Sequence, residues 1–175
     1  PRPHQLQLID HLQQGHSTLL IAPTGAGKTL AGFLPSLVEL EARGKRKPGS
    51  AGNGIHTLYI SPLKALAVDI ARNLEAPVSE MDLAVRLETR TGDTPSHKRQ
   101  RQKLNPPDIL LTTPEQLALF CAGEGSRAYF ADLKCVVLDE VHAIWSGKRG
   151  DLLSLGLGRL QSFAPGMRRV GLSAT

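Results

Sequence analysis

The stretch that decides the fold is Ala22-Pro23-Thr24-Gly25-Ala26-Gly27-Lys28-Thr29, which directly follows the apolar residues Leu19-Leu20-Ile21. The apolar residues predict a buried strand, and the glycines predict a turn that reopens as a helix. Such a turn leaves backbone N–H groups unpaired at the positive end of the helix dipole, which makes a cradle for phosphate. The sequence therefore predicts a nucleoside triphosphate site.

Two side chains after the turn are predicted to contact the phosphates and their metal ion. We expect Lys28 to reach the outer phosphates, and the Thr29 hydroxyl to help hold Mg²⁺. The usual pattern has a glycine where this chain has Ala22, so the match is one residue short of complete. The residues predicted to bind the nucleotide in this stretch are Thr24, Gly25, Ala26, Gly27, Lys28 and Thr29.

The composition is that of a single globular domain. A chain of 175 residues can bury about 70% of its unfolded surface. The hydrophobic fraction is 41% and the charged fraction 21%, which are ordinary values for a globular protein. No apolar run approaches the ~20 residues of a membrane span, and no signal-peptide pattern opens the sequence. We therefore expect a cytoplasmic protein without membrane contact, and the net charge of +5 permits a polyanionic partner without proving one.

The cysteines and the chain ends give two further expectations. Cys121 and Cys135 are the only cysteines, and without a metal-binding spacing they are expected to be buried free thiols. The chain begins with Pro1 rather than Met and stops at Thr175 directly after an apolar segment. We expect residues 1–175 to be one domain of a longer protein.

Strand and helix patterns alternate along the chain. Apolar runs predict strands at 19–22, 57–60, 109–112, 135–138 and 169–172, with a half-exposed strand around 85–88. Helical spacing predicts helices at about 3–14, 28–41, 64–76, 95–103 and 152–163, with a bend at Pro35 in the second. The side chains predicted to face the core from the first three helices are Leu6, Ile9 and Leu12, then Leu30, Leu34, Leu37 and Val38, then Leu63, Leu66, Ala67, Ile70 and Leu74.

This alternation predicts an α/β fold, a parallel sheet with helices on both faces. In such sheets ligands bind beyond the carboxyl ends of the strands. The residues that follow the strands are the phosphate-binding turn, Ser61-Pro62, Thr112-Thr113, Asp139-Glu140 and Ser173-Ala174-Thr175. These segments are expected to share one surface.

The acidic pair Asp139-Glu140 follows the apolar run Val136-Val137-Leu138. An aspartate at a strand end beside a phosphate-binding turn is well placed to hold Mg²⁺ through water. The neighbouring Glu140 can orient and deprotonate the attacking water, so Asp139, Glu140 and Lys28 are the predicted catalytic residues. A structural metal on Asp139 and His142 is the disfavoured alternative, because the spacing fits no zinc pattern.

The order of these segments resembles that of the motifs of DExH-box helicases, specifically the first RecA-like domain of superfamily-two enzymes. The sequence around these motifs is most similar to the Lhr (large helicase-related) proteins and, within these, to the bacterial ligase-associated DEXH-box type. The segments that carry this similarity include Glu88-Thr89-Arg90-Thr91-Gly92-Asp93 and Lys148-Arg149-Gly150-Asp151. The resemblance covers essentially the whole chain. It implies a RecA-like sheet of the P-loop NTPase type, with ATP and Mg²⁺ bound in a cleft shared with a second RecA-like domain that carries an arginine finger.

The resemblance also implies roles for individual residues. Gln5 falls where the family reads the adenine edge, although the surrounding pattern is loose. His142, Ser173 and Thr175 look like the residues that couple hydrolysis to strand separation. The positions that resemble contacts to the nucleic-acid backbone are Pro62, Lys64, Thr91, Gly92, Thr113 and Pro114.

The mode of nucleic-acid binding is expected to be through phosphates. Aromatic residues make up only 4% of the chain, which disfavours stacking on bases and favours salt-sensitive, sequence-independent contacts. Lys98, Arg99, Arg101 and Lys103 either extend this track or form a solvated helix face. Trp145 is expected to be a packing residue near the active surface.

The predicted function is that of an ATP-driven DNA helicase or translocase motor in DNA repair, with DNA favoured over RNA as partner. Three alternatives stay open at this point. One is a nucleotide-gated module that clamps nucleic acid without unwinding it, and another is an RNA helicase domain. The third is a small-molecule kinase, which would share the phosphate-binding turn but leave Asp139-Glu140 and Ser173-Ala174-Thr175 without an obvious role.

Overall fold

Six parallel strands form one sheet in the computed structural model, which describes residues 2–23, 25, 27–44 and 54–175. The spatial order of the strands is β1-β6-β5-β2-β4-β3, and every neighbouring pair is parallel. The strands are β1 (Thr18–Ile21), β2 (Thr57–Ile60), β3 (Leu87–Arg90), β4 (Ile109–Thr112), β5 (Cys135–Leu138) and β6 (Arg168–Ser173). The predicted α/β fold is confirmed.

Helices connect the strands and cover both faces of the sheet. They are α1 (Pro3–Gln13), α2 (Lys28–Arg43), α3 (Lys64–Glu80), α4 (Ser96–Leu104), α5 (Pro114–Ala122), α6 (Ser126–Phe130), α7 (Val141–Ile144) and α8 (Lys148–Phe163). One core cluster joins the sheet to α1, α2 and α3, and the other joins it to α5, α6 and α8. Alternate residues of the central strands enter the two clusters, as Tyr59 and Leu58 do.

The predicted core faces are right in part, since Leu12, Leu37, Ala67, Ile70 and Leu74 are buried as predicted. Helix α1 buries Gln5, Leu8 and Leu12, whereas Leu6 is exposed. Helix α2 packs through Ala31, Phe33, Leu37 and Leu40, whereas Leu30 and Val38 are exposed; Leu63, just before α3, is exposed as well. Each of these helices carries apolar side chains on more than one side, so sequence spacing alone did not decide which side meets the sheet.

Strand β1 is an edge strand rather than a buried one. Leu19 and Ile21 are 58% and 59% exposed, because none of the described helices covers their face of β1. Strand β3 lies at the opposite edge and two residues later than predicted. Helices α5, α6 and α7 had not been predicted, and α8 begins four residues earlier than expected. Pro35 lies inside the continuous helix α2 and Pro77 inside α3.

Both cysteines are free and buried as predicted, and burial raises the pKa of the Cys121 and Cys135 thiols to about 11. Within the described ranges, no helix combines the length and apolar character that crossing a membrane requires.

Candidate nucleotide and nucleic-acid site

The phosphate-binding turn lies between β1 and α2. Gly25 and Gly27 have φ angles of +80° and +75°, a conformation that glycine adopts without steric cost. Thr24 and Ala26, which were also predicted to bind nucleotide, lie outside the described residues. Gly27 caps the N-terminus of α2, so the helix dipole points its positive end at the turn.

Lys28 lies across this turn instead of extending into solvent. Its Nζ donates hydrogen bonds to the carbonyl oxygens of Ala22 at 2.5 Å and Pro23 at 2.9 Å, and the residue is 8% exposed. Phosphate oxygens can replace these carbonyls as acceptors of the same ammonium group. Thr29 follows in the first turn of α2, with its hydroxyl on the same helix end.

Gln5 lies against the same turn from the side of α1. A Cβ atom placed on Gly27 would lie 3.3 Å from Gln5 Nε2, so the side-chain amide rests directly over the glycine. Gln5 Oε1 accepts a hydrogen bond from the backbone N–H of Arg2 at 2.8 Å, and the side chain is 7% exposed. This places Gln5 beside the phosphate-binding turn, while its role in reading adenine stays a prediction.

Lys28 and Asp139 are far apart in sequence, but both lie at the edge of the sheet that is formed by the carboxyl ends of its strands. Lys28 follows β1 and Asp139 follows β5, and β6 is the one strand between them. Two strand spacings amount to about 10 Å. Gly32 of α2 allows close packing, because a Cβ there would lie 3.1 Å from side-chain atoms of both Val137 and Leu172. The helix that carries Lys28 is therefore seated directly on β5 and β6.

Asp139 is held by two hydrogen bonds and is 4% exposed. Tyr59 donates its hydroxyl to Oδ2 at 2.5 Å, and the backbone N–H of Glu140 donates to Oδ1 at 2.8 Å. Burial and the negative charge of Asp139 raise the pKa of Tyr59 well above its usual range, so the phenol remains a donor. Sequence reasoning had not singled out Tyr59 for this role.

The donor set at this edge suits Mg²⁺. Each Asp139 oxygen accepts one hydrogen bond and keeps acceptor capacity, and Mg²⁺ is commonly bound by one or two protein oxygens with water and phosphate. In the described part of the chain, no three His, Cys, Asp or Glu side chains gather as a metal cluster. Mg²⁺ bound with the nucleotide stays a prediction, and a structural metal on Asp139 and His142 stays the disfavoured alternative.

Replacing Tyr59 with Phe tests this arrangement. The loss of the hydroxyl leaves Asp139 Oδ2 without its donor while the ring can keep its stacking on Phe33, 5.2 Å away. Loss of a partner that orients a metal ligand costs 10- to 100-fold in affinity or activity. We expect the Mg²⁺ concentration for half-maximal ATPase activity to rise about tenfold. The control is Tyr129→Phe in α6, remote from Asp139; an equal shift in both variants would contradict the assignment.

Glu140 has an unusual backbone conformation. Its φ of +49° is in the left-handed region, which costs a non-glycine residue about 1–2 kcal/mol. The residue caps α7, and its carboxylate lies beside His142, with 3.0 Å between Oε2 and Nε2. The Glu140 side chain is 36% exposed, so a water molecule can reach its carboxylate.

His142 connects Glu140 to the end of β6. Its Nδ1 lies 2.9 Å from the Ser173 hydroxyl, which in turn donates to the Thr175 carbonyl at 2.7 Å. With the Ser173 proton donated to Thr175, the donor between His142 and Ser173 is Nδ1–H. The predicted coupling residues thus form one chain of contacts that begins at Glu140.

Trp145 does not pack as predicted. Its side chain is 72% exposed, and it lines a surface cleft together with Leu19, His142 and Ser173. Neither Trp145 nor Leu19 belongs to the core cluster that α5, α6 and α8 form on this face of the sheet.

The predicted nucleic-acid residues lie after three neighbouring strands, β2, β4 and β3. Lys64 and Gly92 are exposed, whereas the other four side chains are buried. Any contact that these four buried residues make with nucleic acid would therefore use a backbone group or a threonine hydroxyl. Lys64 Nζ is paired with Asp93 at 2.7 Å, which joins the loop after β2 to the loop after β3. The buried four are Pro62, Thr91, Thr113 and Pro114.

Arg149 joins two of these loops from the start of α8. Its guanidinium donates to the Pro62 carbonyl and to both oxygens of Glu115, at 2.7 and 3.5 Å. Partial burial opposes ionisation of Glu115, but the hydrogen bonds and charge of Arg149, together with hydrogen bonds from the Glu115 backbone and Thr113, outweigh it and lower the pKa of Glu115. The next residue, Gly150, packs closely against the end of α7, because a Cβ there would clash with the Trp145 carbonyl oxygen. Sequence reasoning had recorded Arg149 only as part of a resemblance.

Two of the four cations of α4, Arg99 and Arg101, have side-chain partners in the structure. Arg99 donates to the carbonyls of Thr94, Thr91 and Gly92 at 2.7 to 3.0 Å, so it shapes the loop after β3. Arg101 is paired with Glu88. Lys98 and Lys103 have no ion pair among the described residues. The solvated-face alternative is therefore wrong for Arg99, which is a structural part of the loop.

The chain is similar to helicases over its whole length. Residues 2–175 match the family described as DEAD/DEAH box helicase. The chain is 42% identical to the ATP-dependent helicase Lhr-Core protein 2 of Thermococcus barophilus, over 99% of this chain and 21% of that protein. It is 41% identical to the Lhr helicase/probable uracil glycosylase of Mycolicibacterium smegmatis, over 100% of this chain and 12% of that protein. The chain thus spans about a fifth or less of these curated relatives.

A solved structure gives the same result for the fold. The structure of the Mycobacterium smegmatis helicase Lhr bound to ssDNA and AMP-PNP superposes with a TM-score of 0.87 at 40% identity, over 100% of this chain and 23% of that one. The resemblance to Lhr proteins is confirmed, while the ligase-associated type within them stays a prediction. The family match over residues 2–175, on a sheet that carries the phosphate-binding turn and the acidic pair at one edge, shows that the chain belongs to the DEAD/DEAH box helicase family.

Proposed function

We propose that residues 1–175 form the first RecA-like motor domain of a longer ATP-dependent DNA helicase or translocase. The observation that carries this proposal is the placement of Lys28 and the pair Asp139-Glu140 after β1 and β5, with β6 as the one strand between them. Contacts then lead from Glu140 through His142 to Ser173 at the end of β6. The predicted nucleic-acid loops follow the next strands of the same edge.

In this proposal the nucleotide binds as ATP with Mg²⁺. Lys28 and the turn hold the phosphates, and Thr29 and Asp139 hold the metal, which supplies neutralisation of the phosphate charge. Glu140 accepts a proton from the attacking water, and Tyr59 keeps Asp139 oriented. A second RecA-like domain completes the cleft with an arginine finger, a group worth about 10³ to 10⁵ in rate. The chain on its own is therefore expected to hydrolyse ATP very slowly.

We propose single-stranded DNA as the partner and DNA repair as the setting. Exposed Lys64 and the loop backbones suit phosphate contacts that do not depend on base sequence. The similar Lhr structure contains ssDNA, and the name of one relative pairs helicase with probable uracil glycosylase. Both facts concern those proteins and support the proposal for this chain by similarity.

The test is ATP hydrolysis by the full-length protein with and without nucleic acid. We expect ssDNA to stimulate turnover at least tenfold and duplex strands to be separated in an ATP-dependent manner. ATP-gated binding without strand separation would favour the clamp, and stronger stimulation by RNA would favour the RNA helicase. Transfer of the γ-phosphate to a metabolite instead of water, followed by radiolabel, would favour the kinase.

Arg149 offers a sharper test of the nucleic-acid surface. Replacing Arg149 with Ala frees the Pro62 loop from Glu115, so the two loops lose their fixed separation. We expect the ssDNA concentration for half-maximal stimulation to rise about tenfold while unstimulated ATPase and the KM for ATP stay within twofold. The control, Arg72→Ala on the exposed side of α3, removes the same charge. Equal effects of both variants would mean that charge alone matters.

A further inference from the structure

Arg90, the last residue of β3, is a buried cation without an acidic partner in the described part of the chain. The residue is 8% exposed, and its Cζ lies 4.2 Å from the centre of the Phe120 ring. One nitrogen, Nη1, donates to the Arg99 carbonyl at a long 3.4 Å. The Nε atom is buried and has no hydrogen-bond partner.

This arrangement is costly unless something else compensates for it. A buried charge is normally paired with an opposite charge, and a buried polar atom normally has a partner. Burial, followed by the neighbouring positive charge of Arg99, lowers the pKa of Arg90. The aromatic face of Phe120 offsets part of this cost by a cation–π contact but leaves Nε unsatisfied. An anion would satisfy both the charge and the donor.

The surroundings of Arg90 fit an anion. A cleft of about 390 Å³ lies between Arg90 and one side of α4, and none of the residues that line it is acidic. Ser96 and Gln100 are exposed, so the cleft opens to solvent and offers a hydroxyl and an amide beside three cations. The lining residues are Arg90, Ser96, Arg99, Gln100 and Lys103.

We propose that this cleft binds a backbone phosphate of the single-stranded nucleic acid, next to the contact at the loop after β3. The proposal rests on the proposed function. Arg99 connects the two places, because it lines the cleft and also holds the carbonyls of Thr91 and Gly92. A nucleic-acid strand that contacts the Thr91–Gly92 loop would then meet this cationic cleft beside α4. Lys103, which is exposed and has no ion pair among the described residues, supplies an unpaired positive charge.

The test compares Lys103→Ala with Lys98→Ala in the full-length protein. Both variants remove one charge from α4, but Lys98 does not line the cleft. Each phosphate contact to a single strand contributes about 0.7 to the slope of log K against log salt concentration. We expect Lys103→Ala to reduce the magnitude of the ssDNA slope by about 0.7, and Lys98→Ala to leave it unchanged. An equal change in both variants, or no change in Lys103→Ala, would overturn the proposal.

A second variant places the missing carboxylate inside the cleft. Gln100→Glu is expected to pair with Arg90, and therefore to raise the unfolding temperature while weakening ssDNA binding more than Lys103→Ala does. A gain in stability without any loss of binding would overturn the proposal, as would no change in either. Wild-type protein that binds no ssDNA at all would instead contradict the proposed function, so the two failures are distinguishable.

Discussion

Replacing Glu140 with Gln is expected to lower the turnover number for ATP hydrolysis by about 10²- to 10⁴-fold, the range that general acid–base catalysis supplies. The amide cannot accept the proton of the attacking water. It keeps the size of the side chain and can still contact His142, which lies 3.0 Å from the carboxylate. Binding of ATP should therefore stay within about twofold of wild type.

The backbone at Glu140 explains why glutamine is a better test than alanine or glycine. The φ of +49° is already costly, and a glycine would relax the turn and move Asp139, whose Oδ1 accepts the Glu140 N–H at 2.8 Å. The glutamine substitution leaves that backbone and the metal ligand in place. Any loss of turnover then reports on the carboxylate itself.

The measurement is steady-state ATPase activity of the full-length protein at saturating ssDNA, with nucleotide affinity measured separately. Glu124→Gln is the control, because Glu124 is an acidic residue in the loop between α5 and α6, away from the sheet edge that carries Asp139. If turnover of Glu140→Gln stays near the wild-type value, Glu140 is not the base. A parallel loss of ATP affinity would instead indicate that it supports binding.

The central strands and the phosphate-binding turn were predictable from the sequence. Strands β2, β4 and β5 begin and end where predicted, because a strand covered on both faces reads as an uninterrupted apolar run. The edge strands were harder. Half of β1 is exposed, and β3 lies later than its alternating pattern suggested, since an edge strand carries polar residues on its open side.

The long-range contacts that hold the site residues in place could not be predicted from the local sequence pattern. Tyr59 reaches Asp139 across 80 residues of sequence, and Arg149 reaches Pro62 across 87. Both depend on which strand lies beside which, and a single sequence does not specify the strand order. Arg90 lies outside the strand predicted around 85–88, and its burial could not be predicted because it follows from Phe120 on α5, a helix that was not predicted.

Replacing Ser173 with Ala is expected to separate hydrolysis from strand separation. Ser173 is 4% exposed, and its hydroxyl makes hydrogen bonds with both His142 and the backbone of Thr175. Under the proposed coupling role, loss of this hydroxyl breaks the contacts that link Glu140 through His142 to the end of β6. We expect ATP turnover to stay within about threefold, while the unwinding rate falls at least tenfold.

Two companion variants distinguish coupling from simple damage to the fold. Ser173→Thr keeps a hydroxyl and should restore much of the unwinding, whereas Ser162→Ala removes an exposed hydroxyl that bonds only to the Arg159 carbonyl and should change neither rate. Loss of a buried hydrogen bond costs about 1 kcal/mol of stability, so Ser173→Ala should still be folded at the assay temperature. The decisive quantity is the ratio of ATP hydrolysed to base pairs separated. A ratio that stays constant while both rates fall together would mean that Ser173 supports the sheet edge and does not link it to Glu140.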